Sequence, residues 1–217
     1  MADTAARLYL ITPILDDASF APRLAEACAT GAVAAVLLRL APADERGLTN
    51  LVKALAPAAQ EHGAAMIVAS EAKADLANVA ARGGADGVHI PGDPARLREL
   101  RERLTERAIG AGAIRSKDDA MGLGEAGADY LLFGEPRPDG SLPSLESVVE
   151  RASWWAEIFE TPCIVSAPSL DALAGAAATR AEFVALGDAV FAHPGGPAAA
   201  VRAASGALAA MAAEARP

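Results

Sequence analysis

Gly84-Ala85-Asp86-Gly87-Val88-His89-Ile90 and Gly127-Ala128-Asp129-Tyr130-Leu131-Leu132-Phe133 state one phrase twice: glycine, alanine and aspartate leading into a short apolar run. Each follows an Ala- and Leu-rich stretch with helical spacing. The glycine therefore falls where a helix ends in a left-handed residue, and the apolar run reads as a buried strand. Gly31-Ala32-Val33 keeps two of the three residues, and Gly63 marks a further junction of the same kind. Outward from these junctions, apolar runs recur about every 25 residues, each followed by a helical pattern, which is the rhythm of βα units. The predicted strands are Leu8 to Thr12, Val33 to Arg39, Ala65 to Val68, Gly87 to Ile90, Ala108 to Ala113, Tyr130 to Phe133, Cys163 to Ser166 and Phe183 to Leu186. Continuous hydrophobic strands fit a parallel sheet covered on both faces, and eight such units close most simply into a single (β/α)8 barrel. Asp93-Pro94 and Gly196-Pro197 read as helix starts with proline at the first helical position. No linker divides the chain, so residues 1–217 are expected to form one domain.

Composition narrows the function classes. The chain is 53% hydrophobic, 22% charged and only 4% aromatic, which predicts an aliphatic globular core. A net charge of −9 argues against a sequence-independent grip on nucleic acid and points to a small-molecule partner. No apolar run approaches the length needed to cross a bilayer, and Met1-Ala2-Asp3-Thr4 lacks the basic start of a secretion signal, so a cytoplasmic protein is expected. Cys28 and Cys163 show no metal-ligand or redox-pair spacing and read as buried structural thiols.

The phrase ending in His89-Ile90, with Asp93 beyond it, resembles the fourth-strand signature of thiamine phosphate synthases, a superfamily shared with the thiazole tautomerases. So do Ile109-Gly110, Tyr130 leading to Phe133-Gly134, the first strand Leu8-Tyr9-Leu10-Ile11-Thr12, and Leu38-Arg39. The resemblance implies an α/β barrel that joins a pyrimidine pyrophosphate to a thiazole phosphate, uses Mg²⁺ and releases pyrophosphate. It also implies a site on which this sequence departs at several positions. Leu37-Leu38-Arg39-Leu40-Ala41 keeps the arginine of the second-strand motif but not its glutamine or lysine, and Ala69-Ser70 replace an asparagine and a metal-binding aspartate. Asp93 keeps the place of the second metal carboxylate. Gly112 and Ile114 stand where the family has serine and histidine, which also weakens any match to the tautomerases. The loop from Glu135 to Leu142 carries no lysine, and its nearest cation is Arg137. Pro168 falls among the paired glycines, and Gly187-Asp188 replaces a serine that faces phosphate.

Residues at the carboxyl ends of barrel strands face the site. His89 is the candidate catalytic residue, with a hydrogen-bonded structural histidine as the other reading. Arg39, Arg115, Glu135, Arg137, Gly187 and Asp188 are the candidate substrate-binding residues. Arg39 lies among apolar neighbours and is expected to face either an anionic ligand or an internal acid, namely Glu71, Glu135 or Asp188. Asp93 is either a helix cap or a ligand to Mg²⁺. The segment His193-Pro194-Gly195-Gly196-Pro197 is either an anion-binding helix start or a plain turn. One of Trp154 and Trp155 is expected to be exposed and to mark a contact in a homodimer. With so many phosphate and metal groups replaced, the expected function is a barrel that binds a phosphorylated or anionic small molecule and has lost the coupling reaction, a pseudoenzyme. The alternative is an active transferase with an altered site.

Overall fold

In a computed structural model, which describes residues 5–136 and 141–214, eight parallel strands close into a barrel in the order of the chain. They are β1 (Arg7–Ile11), β2 (Val33–Leu40), β3 (Ala65–Ser70), β4 (Gly87–Ile90), β5 (Ala108–Ala111), β6 (Tyr130–Phe133), β7 (Cys163–Ser166) and β8 (Phe183–Leu186). Every neighbouring pair is parallel, and β1 pairs with β8 to close the ring. The expected barrel is therefore the observed one.

The strand sequences divide by parity, as a pleated backbone requires. One set points into the lumen: Tyr9, Leu37, Ile67, Tyr130, Leu132, Ile164 and Ala185 form a small cluster enclosed by the ring. The other set, including Leu8, Leu10, Val36, Leu38, Val68 and Val88, packs outward under the helices in the larger core. Cys28 and Cys163 are free and buried, and burial pushes both thiols up to about 12.

The repeated glycine-alanine-aspartate phrase acquires its reason here. Gly84 ends the helix Leu76–Gly83 with φ 82°, a left-handed conformation that glycine adopts without strain. The aspartates then latch neighbouring strands: Asp86 Oδ2 accepts from Met66 N at 2.7 Å, and Asp129 Oδ2 accepts from Ile109 N at 2.6 Å. Glu182, just before β8, does the same for Cys163 N at 2.9 Å. At the opposite end, β5 stops at Ala111 and not at Ala113, because Ala113 turns to φ 56° and sends its amide toward β6. Trp155 is buried with Nε1 donating to Thr161 O, while Trp154 is half-buried beneath the Lys117 ammonium.

Candidate active site

The carboxyl ends of the strands form a ring of half-buried positions that includes Ile11, Arg39, Ala69, Glu135, Ser166 and Gly187. Beneath it, the lumen holds a polar chain. The Tyr9 and Tyr130 hydroxyls lie 2.9 Å apart, Tyr130 Oη lies 3.2 Å from His89 Nδ1, and His89 Nε2 lies 3.1 Å from Glu135 Oε1. Glu135 Oε2 accepts from Ala113 N at 2.6 Å. With a neutral imidazole, the donors run one way: Tyr9 to Tyr130, Tyr130 to His89 Nδ1, and His89 Nε2–H to Glu135. That arrangement gives every buried donor an acceptor, as burial demands. Burial also pushes both tyrosine hydroxyls well above their ordinary values, so both stay protonated.

Glu135 is the anion of this chain. Burial pushes its carboxyl up, but His89, the Ala113 amide and the charge of Arg39 together outweigh burial and hold it below its ordinary value. The backbone of β5 is shaped to receive these groups. A Cβ at Gly110 would overlap the Tyr130 ring, and one at Gly112 would overlap the Glu135 carboxylate and crowd His89 Nε2. The glycine that replaces a family serine thus leaves the space that Glu135 occupies.

His89 is only 4% exposed, and both of its ring nitrogens are engaged inside the protein. The geometry therefore gives it no free nitrogen to offer a substrate, and of its two readings the hydrogen-bonded one matches. Arg39 shares the lumen-facing parity of Leu37; its backbone N–H donates to Thr12 Oγ1 and its carbonyl accepts from Leu15 N. Among the described residues its guanidinium forms no ion pair or hydrogen bond, so none of the acids expected to fill its fork does so. Glu135 feels its charge without bonding it, Asp188 is exposed at the start of a short helix after Gly187, and Glu71 is exposed.

Arg115 is exposed, with its amide bonded to Asp119 in the capping box that opens helix Lys117–Glu125; Arg137 lies outside the described residues. Asp93 is a cap: its Oδ1 accepts from Ala95 N and Arg96 N at 3.0 and 3.1 Å at the start of helix Pro94–Arg103. The described residues contain no group of three or more His, Cys, Asp or Glu able to hold a metal. Mg²⁺ is usually bound through one or two carboxylates together with substrate phosphates, and the cap engages only Oδ1 of Asp93, so capping and the expected metal role are compatible. At the start of helix Pro197–Glu214, Glu26 Oε1 accepts from Ala198 N at 3.3 Å; the protein's own carboxylate takes the place of an external anion. A cavity of about 480 Å³ lies beside the ring against Asp16, Pro42, Asn50 and Leu51, and neither His89 nor Glu135 lines it.

The thiamine monophosphate synthase family model matches residues 8–190. This chain belongs to that family. A thiamine-phosphate synthase of Rhodospirillum centenum is 38% identical, covering 91% of this chain and 95% of that protein. One of Hyphomonas neptunium is 35% identical, over 94% and 96%. Among solved structures, a thiamine phosphate pyrophosphorylase from Pyrococcus furiosus superposes with a TM-score of 0.72 at 23% identity, covering 96% of each chain. A 3-hexulose-6-phosphate synthase from Salmonella typhimurium reaches the same TM-score at 15% identity over 94% and 99%, which speaks for the barrel alone.

These relatives overturn the expectation that the coupling reaction is lost, and the pseudoenzyme reading falls with it. The error lay in counting vanished motif residues one by one. A family member can present its polar groups from other strands, and the mouth of this barrel holds such a group in Glu135. Tyr9, Tyr130 and Gly110 carried the family resemblance in the sequence but were given no place in the site. The available signal was a tyrosine of lumen parity in an otherwise aliphatic barrel, because a buried hydroxyl needs a partner.

Proposed function

We propose that this protein is a thiamine-phosphate synthase-type transferase, acting in the cytoplasm, that joins a pyrimidine pyrophosphate to a thiazole phosphate and releases pyrophosphate. The observation that carries the reading is the 38% identity to a thiamine-phosphate synthase across nearly the whole of both chains. The Arg39 guanidinium at the mouth, unpaired among the described residues, supports it. As the bond to the diphosphate breaks, negative charge gathers on the leaving group, and a planar fork of permanently charged donors suits it. Arg115 and Arg137, which follow β5 and β6 in the sequence, are further cations for the two phosphorylated substrates, and Gly187 and Asp188 border the mouth at the end of β8. His89 orients Glu135, which faces the same opening. Asp93, whose Oδ2 is not used by the helix cap, is the carboxylate that would hold Mg²⁺ together with the substrate phosphates, where the metal would neutralise charge on the departing diphosphate.

The test is pyrophosphate release by the purified protein from the two substrates, compared with Arg39→Ala. The wild type is expected to turn over above background. The variant is expected to lose about 10- to 100-fold in kcat/KM, the equivalent of one hydrogen bond to a charged group. Background-level release by the wild type would defeat the proposal.

A further inference from the structure

Resting on the transferase reading above, we propose that Glu135 is a substrate-binding residue. Its carboxylate accepts the N–H donors of the pyrimidine ring system and so orients that ring for displacement of its diphosphate. The polar side chains that Leu37 and Ala41 no longer supply from β2 are replaced by this one, delivered from the end of β6.

Four observations converge on it. The carboxylate is one-fifth exposed at the mouth, so it reaches the opening while its other contacts hold it in place. Each oxygen has one partner, His89 Nε2 or Ala113 N, which leaves acceptor capacity on both. Neighbouring backbone is given over to presenting it: Gly112 must lack a side chain to make room, and Ala113 adopts a left-handed conformation that costs a non-glycine residue energy while aiming its amide at Oε2. Finally, an anion and a cation share this mouth without pairing, since Arg39 influences Glu135 electrostatically but forms no bond with it. Two opposite charges kept apart match a ligand with an anionic tail and an N–H-bearing ring, each charge meeting its own end. His89 is then a positioning residue, because its nitrogens are already taken by Tyr130 and Glu135.

Titration calorimetry on the full-length protein separates this from a merely structural carboxylate. The probes are the pyrimidine pyrophosphate and inorganic pyrophosphate. Glu135→Gln, which is isosteric but uncharged, is expected to weaken the pyrimidine ligand about 10- to 100-fold, the range for losing a charge-assisted hydrogen bond. Inorganic pyrophosphate should bind the variant at least as well as the wild type, because a like charge is gone. Unchanged affinity for the pyrimidine ligand, or an equal loss for both, overturns the proposal while leaving the transferase reading intact. Failure of the wild type to bind the pyrimidine ligand at all removes the transferase reading and this inference with it. Should Glu135→Gln not fold by near-ultraviolet circular dichroism, His89→Gln and His89→Leu decide. Glutamine keeps an N–H toward Glu135 and should hold affinity within a few-fold of wild type, whereas leucine should lose it; equal affinities for the two variants overturn the proposal.

Discussion

Both rims of the barrel carry carboxylates that accept backbone N–H groups. At the amino-terminal rim Asp86, Asp129 and Glu182 bind Met66, Ile109 and Cys163; at the carboxyl-terminal rim Glu135 binds Ala113. The three lower acids are exposed, keep much of their hydration, and tie β3 to β4, β5 to β6 and β7 to β8 in register. Glycine turns precede two of them, and Arg180, left-handed at φ 63°, precedes the third. The upper acid is largely buried, so its lost hydration must be offset by His89, an amide and a nearby cation, and the residue that donates the amide is strained. On the role proposed for Glu135, the same bond serves stability below and ligand presentation above, in keeping with the division between the faces of α/β barrels. A region built to hold the fold places its charges in water, while a region built to hold a ligand accepts a cost in stability.

Substitutions can break this comparison if it is wrong. The largest effect is expected from Gly112→Val, which drives a side chain into the Glu135 carboxylate. Steady-state pyrophosphate release should fall more than about 100-fold, while chemical denaturation should show a loss of about 1–3 kcal/mol from overpacking. Retained activity would mean that Glu135 moves freely and that the upper rim is not preorganised.

The converse variant is Asp129→Ala. It removes the latch on Ile109 and the ion pair with Arg101, and should cost about 1–2 kcal/mol in a urea melt, at the lower end for hydrogen bonds to charged groups because the site is exposed. Its kcat/KM should stay within about two-fold of wild type; a larger loss would erase the separation between the rims. Asp93→Ala sharpens the boundary. It is expected to cost about 1 kcal/mol through loss of a helix cap, with no change in the heat of titrating Mg²⁺ alone into the protein.

The smallest effect is a pH dependence. The Glu135 carboxyl is held below its ordinary value of 4.5, so the folded state favours its charged form. Its contribution is fully present above that value and is lost as the pH falls through the lower folded value. Below about pH 4.5, the urea midpoint of the wild type should therefore fall more steeply than that of Glu135→Gln, in the range where only the wild type has this carboxyl to protonate. Parallel curves would show that Glu135 is not linked to folding.

The fold was legible because its determinants are local. Hydrophobic runs bounded by glycine placed the eight strands, and the barrel followed from their number and spacing. Boundaries differed where a long-range bond intervened: β5 ends early because Ala113 turns toward Glu135, and β3 extends to Ser70 because its backbone keeps pairing with Leu40. The site was legible only in part. Arg39, His89 and Glu135 were nominated from strand-end positions, but the partners of His89 and the isolation of Arg39 were not deducible.

By itself, then, the sequence determined the eight strands, the helix ends at Gly84 and Gly127, the cap at Asp93 as one of two readings, and the cation left in β2. Each of these depends on a residue and its near neighbours along the chain. Only the tertiary structure decided that Tyr9 meets Tyr130 across 121 residues and that His89 meets Glu135 across 46. It also decided that Gly110 and Gly112 are bare to let those side chains in. The reason is geometric: closing the barrel points side chains from distant strands into one enclosed lumen, where a polar group must find a partner among whatever the other strands deliver at the same height.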